Sequence, residues 1–448
     1  MTKRILAAVC AAAMVISLAA CSDSTDTSSS APADSKVSSE QTDSTVSEDA
    51  SSDEASSNET SDETSEDTSS EEEEYVSYQL DGELTPNMIS KSRLIEGNKV
   101  RLANVIKKLQ AGEEVTVGYI GGSITQGTSA GDQLCYAKLT TNWIAEQYPD
   151  AKVNYVNAGI GATGSYIGVH RVTDQLLSKN PDLVFVEFSV NDTYANTERD
   201  KESYDSLLRT IWAHETNPAI ITIVTTQDNG TSMQAVHSEV AEHYDIPMIS
   251  YHDSILDVIA HGDIKWSDIS NDNIHPNVPG HKIVSQLLQS YLSDVAADVD
   301  NISGDESDFS TPATNAGFVG GKLLGFNDIE PTETTGTVTK KESDFGGFHG
   351  VTICIAGDEG TSLTYEVEAK SIGLLYGMNT ANGGMADVYI DDELVTTLNS
   401  DFAGGWGNYV ECAHLKTFDE SGKHTVKIDV REGANGGKNF IISSLAIS

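Results

Sequence analysis

Val115-Thr-Val-Gly-Tyr-Ile120-Gly-Gly-Ser123-Ile-Thr-Gln-Gly127 joins a run of β-branched and aromatic residues to a glycine pair, a serine and a short polar turn. Residues 115–120 have the composition of a buried strand, and the glycines permit the sharp turn that would leave Ser123 at the strand's carboxyl end. Two more apolar runs end in the same way. Residues 153–156 lead into Asn157-Ala-Gly-Ile-Gly-Ala-Thr-Gly-Ser165, and residues 183–188 into Ser189-Val-Asn191-Asp192. Residues 219–225 and 247–250 also read as strands, while 100–111, 136–148, 201–214, 233–244 and 281–295 read as helices. This alternation over residues 75–300 predicts a three-layer α/β domain with a doubly wound parallel sheet. Ligands of such sheets bind outside the carboxyl ends of the strands, where the small and polar residues gather.

A second stretch, Asp272-Asn-Ile-His275-Pro-Asn277, lies far downstream. An acid and an imidazole three residues apart on one segment can act together: the carboxylate holds the ring, and the ring accepts a serine proton. Ser123, Asp272 and His275 are therefore the candidate catalytic residues. Each has a plainer reading alone, as a helix cap, a turn former and a loop histidine before proline. Their order, together with strand ends that converge on one place, favours chemistry. His170, His252 and His281 have no acid three residues before them, and His281 opens an amphipathic helix as a structural residue.

Residues 90–295 resemble the SGNH, or GDSL-type, hydrolase family, whose four blocks supply a serine, a glycine, an asparagine and a histidine. Gly122-Ser123 matches the first, Asn157 to Ser165 the second, Val190-Asn191-Asp192 the third and Asp272-Asn-Ile-His275-Pro the fourth. The resemblance implies a flavodoxin-like fold and a serine esterase that needs no metal or other cofactor. It implies Ser123 as nucleophile, His275 as base and then acid, and Asp272 as the group that orients the imidazole. The implied oxyanion donors are the Ser123 N–H, the N–H of Gly161 or Ala162, and the Asn191 side-chain amide. Gly122 stands where the best-known members have Asp, and Ala162 where an ungapped reading expects glycine. Neither change removes a required group, because the family uses that glycine through its backbone N–H.

After residue 300 the pattern changes to short alternating runs separated by Gly, Asn and Asp turns: 351–355, 363–368, 372–378, 386–390, 394–398, 424–430 and 440–447. Residues 306–448 are thus expected to form an all-β sandwich, similar to the jelly-roll domains that accompany carbohydrate esterases. Trp406 lies in a glycine-rich loop there and is a candidate substrate contact. Tyr376, Tyr389 and Tyr409 could join it as a stacking platform, although at least two of these four aromatics are expected in the core or an interface.

The amino-terminal end points to a location. Residues 1–21 combine a basic start, a short apolar run and a Leu18-Ala-Ala-Cys21 ending that resembles a bacterial lipobox, so that cleavage before Cys21 and lipid attachment to it are expected. Residues 22–74 hold 18 Asp and Glu against Lys36 alone and almost no large apolar side chain, a composition that cannot fold and suits a stalk. The expected place is the bacterial cell surface, tethered to the membrane through lipid only. A formal net charge of −42 with no basic stripe excludes nucleic acid as a partner and disfavours polyanionic glycans. Of the remaining cysteines, Cys135, Cys354 and Cys412, one pair in the last domain could bridge.

Together these features predict a surface-anchored esterase that removes O-acetyl or other acyl groups from an oligo- or polysaccharide. A lipase, thioesterase or glycan acyltransferase of the same fold is the nearest alternative. An inactive glycan-binding lipoprotein is the alternative of another class. Oligomeric state is left open.

Overall fold

The computed structural model describes residues 74–448, without the side chains of 349–351; the leader, Cys21 and residues 22–73 lie outside it. The first part of the chain forms a six-stranded sheet from β1 (Arg93–Ile95), β2 (Glu114–Gly121), β3 (Lys152–Gly159), β4 (Leu183–Glu187), β5 (Ala219–Val224) and β6 (Met248–Ser250). Its strand order is β1-β6-β5-β4-β2-β3, parallel except for the antiparallel edge strand β1. The five parallel strands have the flavodoxin-like arrangement, in which the order reverses between the first and third of them, here β2 and β4. That switch point is where such sheets open a crevice for ligands.

The side chains of β2 show why the sheet has helices on both faces. Val115, Val117 and Tyr119 join one buried cluster with Leu102, Tyr136 and Leu287. Ile120 joins the opposite cluster with Val169, Leu207 and Val240. Successive side chains of a strand point to opposite faces, so an unbroken apolar strand needs cover on both sides. The two longest helices absent from the sequence reading are Ser165–Gln175 and Tyr251–Ala260. In the first, eight consecutive residues from Ser165 to Val172 are buried, which erases the one-sided stripe that reveals a surface helix.

The last part of the chain is a β-sandwich of nine antiparallel strands, β7 (Lys322–Gly325), β8 (Glu333–Thr335), β9 (Val338–Phe345), β10 (Phe348–Ala356), β11 (Ser362–Met378), β12 (Met385–Ile390), β13 (Glu393–Asn399), β14 (Tyr409–Arg431) and β15 (Phe440–Ile447). The expected runs 363–368 and 372–378 are one strand, β11, whose register shifts between Ala369 and Ser371. At the shift the Lys370 N–H turns away from the ladder to donate to the Ser448 carbonyl. A bulge of this kind lets a long strand bend through both layers. Residues 424–430 are likewise the end of β14, which starts at Tyr409. β9 escaped the sequence reading because it is an edge strand of mostly exposed polar residues, Val-Thr-Lys-Lys-Glu-Ser-Asp-Phe. Cys135, Cys354 and Cys412 are buried and free, so the bridge considered for the last domain does not form.

The two lobes share a core. Phe318, Phe348, Leu375, Val410 and Ala446 of the second part are buried in the same cluster as Ile120, Ile160, Tyr166 and Ile167 of the first. Around this seam the Thr314 N–H and hydroxyl both donate to Asp205, and the Gly317 N–H donates to Glu202. The β-sandwich is therefore packed onto the α/β lobe and not merely strung after it.

Candidate active site

Strand β2 ends at Gly121, and a one-turn helix, Ser123–Gln126, begins immediately after Gly122. Ser123 Oγ lies 2.9 Å from His275 Nε2, and His275 Nδ1 lies 2.8 Å from Asp272 Oδ2. The acid and base sit on a tight local segment just before the helix Val278–Ala297, whose cap is the Asn277 side chain. The other carboxylate oxygen, Asp272 Oδ1, accepts the N–H groups of Ile274 at 2.8 Å and His275 at 2.7 Å. Partial burial would raise the Asp272 pKa, but these N–H groups and the imidazole outweigh it and hold the carboxyl below its ordinary range. The Trp266 indole N–H and the Ser270 hydroxyl fix the Asp272 carbonyl from behind.

The glycine block folds into the loop after β3. There the Gly161 N–H is already used, donating to Gln126 Oε1 at 2.9 Å. Ala162 has φ +58, a left-handed conformation unusual for a residue with a side chain. Asn191, after β4, stands across the switch point and lines the same cleft as Ser123 and Ala162. Its Oδ1 is buried without a partner and lies against Gly122. A Cβ at position 122 would come within 1.9 Å of that oxygen, so a side chain there would require Asn191 to shift.

Sequence reasoning missed the residues that hold these groups. Asp192 Oδ1 accepts the Ser165 N–H at 2.7 Å, and its Oδ2 is 2.9 Å from His237 Nε2. Asp192 thus ties the asparagine block to the glycine block, and the His237 ring behind it is stacked on Tyr204 at 3.9 Å. The one available signal was the Asn-Asp pair, which equally describes a turn. His281 is structural as expected: its Nδ1 accepts the Tyr136 N–H at 3.1 Å, and desolvation by burial takes its pKa down to about 4. His252 pairs with Asp253 at 2.7 Å and His170 is buried, both outside the cleft lining.

The cleft around Ser123 has a volume of about 830 Å³, a size that takes a ligand of several rings. Its far wall comes from the β-sandwich: Gly346, Gly347, Trp406, Asn408 and Tyr409. Gly346 and Gly347 form the two-residue turn between β9 and β10, with φ of +56 and +87. Positive φ at both positions is the hairpin turn that glycine pairs favour. It also lets the backbone approach the loop after β3, since a Cβ on Gly347 would meet Ile160 at 2.7 Å. Trp406 is 72% exposed and is stacked with Tyr409 at 5.1 Å. Tyr376 is instead buried against Phe440, and Tyr389 lies outside the cleft lining.

An open α/β sheet with a serine, an imidazole and a carboxylate in line at its switch point defines an ester hydrolase. Residues 119–283 match the GDSL-like Lipase/Acylhydrolase family model. A two-domain esterase (CEX) active on acetylated mannans, co-crystallized with mannopentaose, is similar at 29% identity and a TM-score of 0.73, over 80% of this chain and 97% of that one. A second structure of the CEX esterase gives the same identity and TM-score over 80% and 98% of the two chains. The acetylxylan esterase Axe2 from Geobacillus stearothermophilus has 17% identity and a TM-score of 0.35 over 40% of this chain and 94% of that one. No curated protein sequence matches the chain.

Proposed function

We propose that this protein releases O-acetyl groups from an acetylated carbohydrate by a serine mechanism. The observation that carries the reading is the Ser123–His275–Asp272 line in a cleft whose opposite wall is an exposed tryptophan on the sandwich. Ser123 Oγ attacks the acetyl carbonyl carbon as its proton passes to His275 Nε2. Asp272, kept ionised by its N–H contacts, orients the ring and stabilises its charged form. The tetrahedral oxyanion takes donors from the Ser123 N–H, the Ala162 N–H and the Asn191 amide; Gly161 is set aside because Gln126 occupies its N–H. His275 then protonates the departing sugar hydroxyl, and a water deprotonated by the same ring releases acetate.

The CEX likeness makes acetylated mannan the first polymer to test. A lining in which Val190 and Ile274 are the only large aliphatic side chains among the described residues supports a short acyl group over a lipid chain. Lipid attachment at Cys21 and a stalk over residues 22–74 would place the enzyme at the cell surface, and a Cys21→Ser protein should leave the membrane fraction with its activity intact. The deciding experiment measures acetate released from acetylated mannan, acetylated xylan and a series of 4-nitrophenyl esters of increasing chain length. Acetate release that falls by about 10⁴-fold or more in Ser123→Ala and His275→Ala supports the reading. Preference for long acyl chains, or wild-type rates in either variant, overturns it.

A further inference from the structure

Arg171 is the largest fully buried side chain of the molecule among the described residues, and its hydrogen bonds include no carboxylate. Its guanidinium donates to the Ala158 carbonyl at 2.5 Å, the Gly121 carbonyl at 2.9 Å, Gln175 Oε1 at 2.7 Å and Thr163 Oγ1 at 3.3 Å. Burying a charge is unfavourable even where most donors are used, and here Nε has no partner among the described residues, while an apolar residue could fill the same space. The partners explain its presence. Gly121 is the last residue of β2 and stands two positions before Ser123; Ala158 is next to last in β3, which leads into the loop that carries Ala162.

We propose that Arg171 is a positioning residue that sets the gap between the nucleophile turn and the oxyanion loop. The planar fork of the guanidinium spans two carbonyls at fixed separation, which a lysine ammonium cannot do. The same group holds Thr163, whose hydroxyl donates to the Ile160 carbonyl at 2.7 Å, so the loop from Gly159 to Thr163 is braced from within. Ala162 has φ +58 in that loop, and a strained residue of this kind persists only where its surroundings over-determine it. Arg171 supplies that constraint. Burial lowers its pKa to about 9, which leaves it a cation at neutral pH. This inference rests on the proposed roles of Ser123 and Ala162.

The test compares wild type, Ser123→Ala, Arg171→Lys, Arg171→Lys/Ala162→Gly and Thr163→Val on 4-nitrophenyl acetate, with thermal melting of each. Activity in wild type that is lost in Ser123→Ala establishes the underlying reading before the others are judged. A folded Arg171→Lys should lose roughly 10- to 100-fold in kcat with KM changed less than about threefold, because geometry and not ground-state binding is disturbed. Adding Ala162→Gly should recover at least about threefold, because glycine adopts the left-handed conformation without the clamp. A folded Arg171→Lys with kcat within about twofold of wild type, or a loss that Ala162→Gly does not relieve, reduces Arg171 to a core residue. Should Arg171→Lys fail to fold, Thr163→Val decides: a kcat loss of about threefold or more at near-native melting supports the clamp, and an unchanged kcat overturns it.

Discussion

The two walls of the cleft are built in opposite ways. On the α/β side several groups near Ser123 are anchored from behind: Gln126 holds Gly161, Asp192 holds Ser165, and backbone N–H groups hold Asp272. On the sandwich side Trp406 stands in a loop with Gly404 and Gly407 at φ of +77 and +159, and its ring contacts are Phe402 and Tyr409. The difference fits the roles proposed for the two walls. Bond-making tolerates errors of a fraction of an ångström, so the reacting groups are fixed by directional hydrogen bonds. A ring stacked against a sugar face makes broad, non-directional contact and tolerates sliding.

The comparison fails altogether if the walls are separable. Removing residues 305–448 should abolish soluble, active protein, because it uncovers the shared core around Ile160, Tyr166 and Ile167. Expression of the fragment with an assay on 4-nitrophenyl acetate checks this, and an active soluble fragment would show that the seam is dispensable. Within the fixed wall, Asn191→Ala should lower kcat by roughly 10²–10³ with little change in KM, since one oxyanion donor is lost. Steady-state kinetics that leave kcat unchanged would move that donor elsewhere.

On the adjustable wall, Trp406→Ala should leave the small acetyl ester within about threefold of wild type while lowering kcat/KM on acetylated mannan by roughly tenfold. Equal losses on both substrates in a folded protein would show that the loop shapes the acyl site itself. A separate effect is on stability. Desolvation by burial takes His170, at the lobe seam, and His281, beside the catalytic turn, from their ordinary 6.5 to about 4. Between about pH 6.5 and about pH 4 the unfolded chain binds protons that the folded chain does not, so stability is complete above this window and falls with pH through it. The loss is on the order of 3 kcal/mol per histidine at the acid end. Urea unfolding at several pH values measures the slope, which should shrink in His170→Gln/His281→Gln; an undiminished slope would assign the acid sensitivity to other groups.

The parallel sheet was readable because its strands are apolar on both faces and each ends in small and polar residues, a pattern produced by burial above and below and a crevice at the end. The pairing of Asp272 with His275 was readable because it is local, three residues apart on one segment. The helix from Ser165 was not, since burial on all sides leaves no stripe, and neither was edge strand β9, whose exposed charges look like a loop. Whether Gly161 or Ala162 offers its N–H could not be read either, because it depends on where Gln126 reaches from another element.

By itself the sequence determined the layer architecture, the sandwich after residue 300 and which serine, acid and imidazole to place together as candidates, because periodicity and short-range spacing are properties of neighbours in the chain. Tertiary structure alone decided that Arg171 clips two strand ends, that Asp192 joins two loops and that the Gly346-Gly347 turn and Trp406 close the cleft. These contacts join residues far apart in the chain, and only the packing of one lobe's strand ends against the other's loops brings them within reach of a hydrogen bond or a ring.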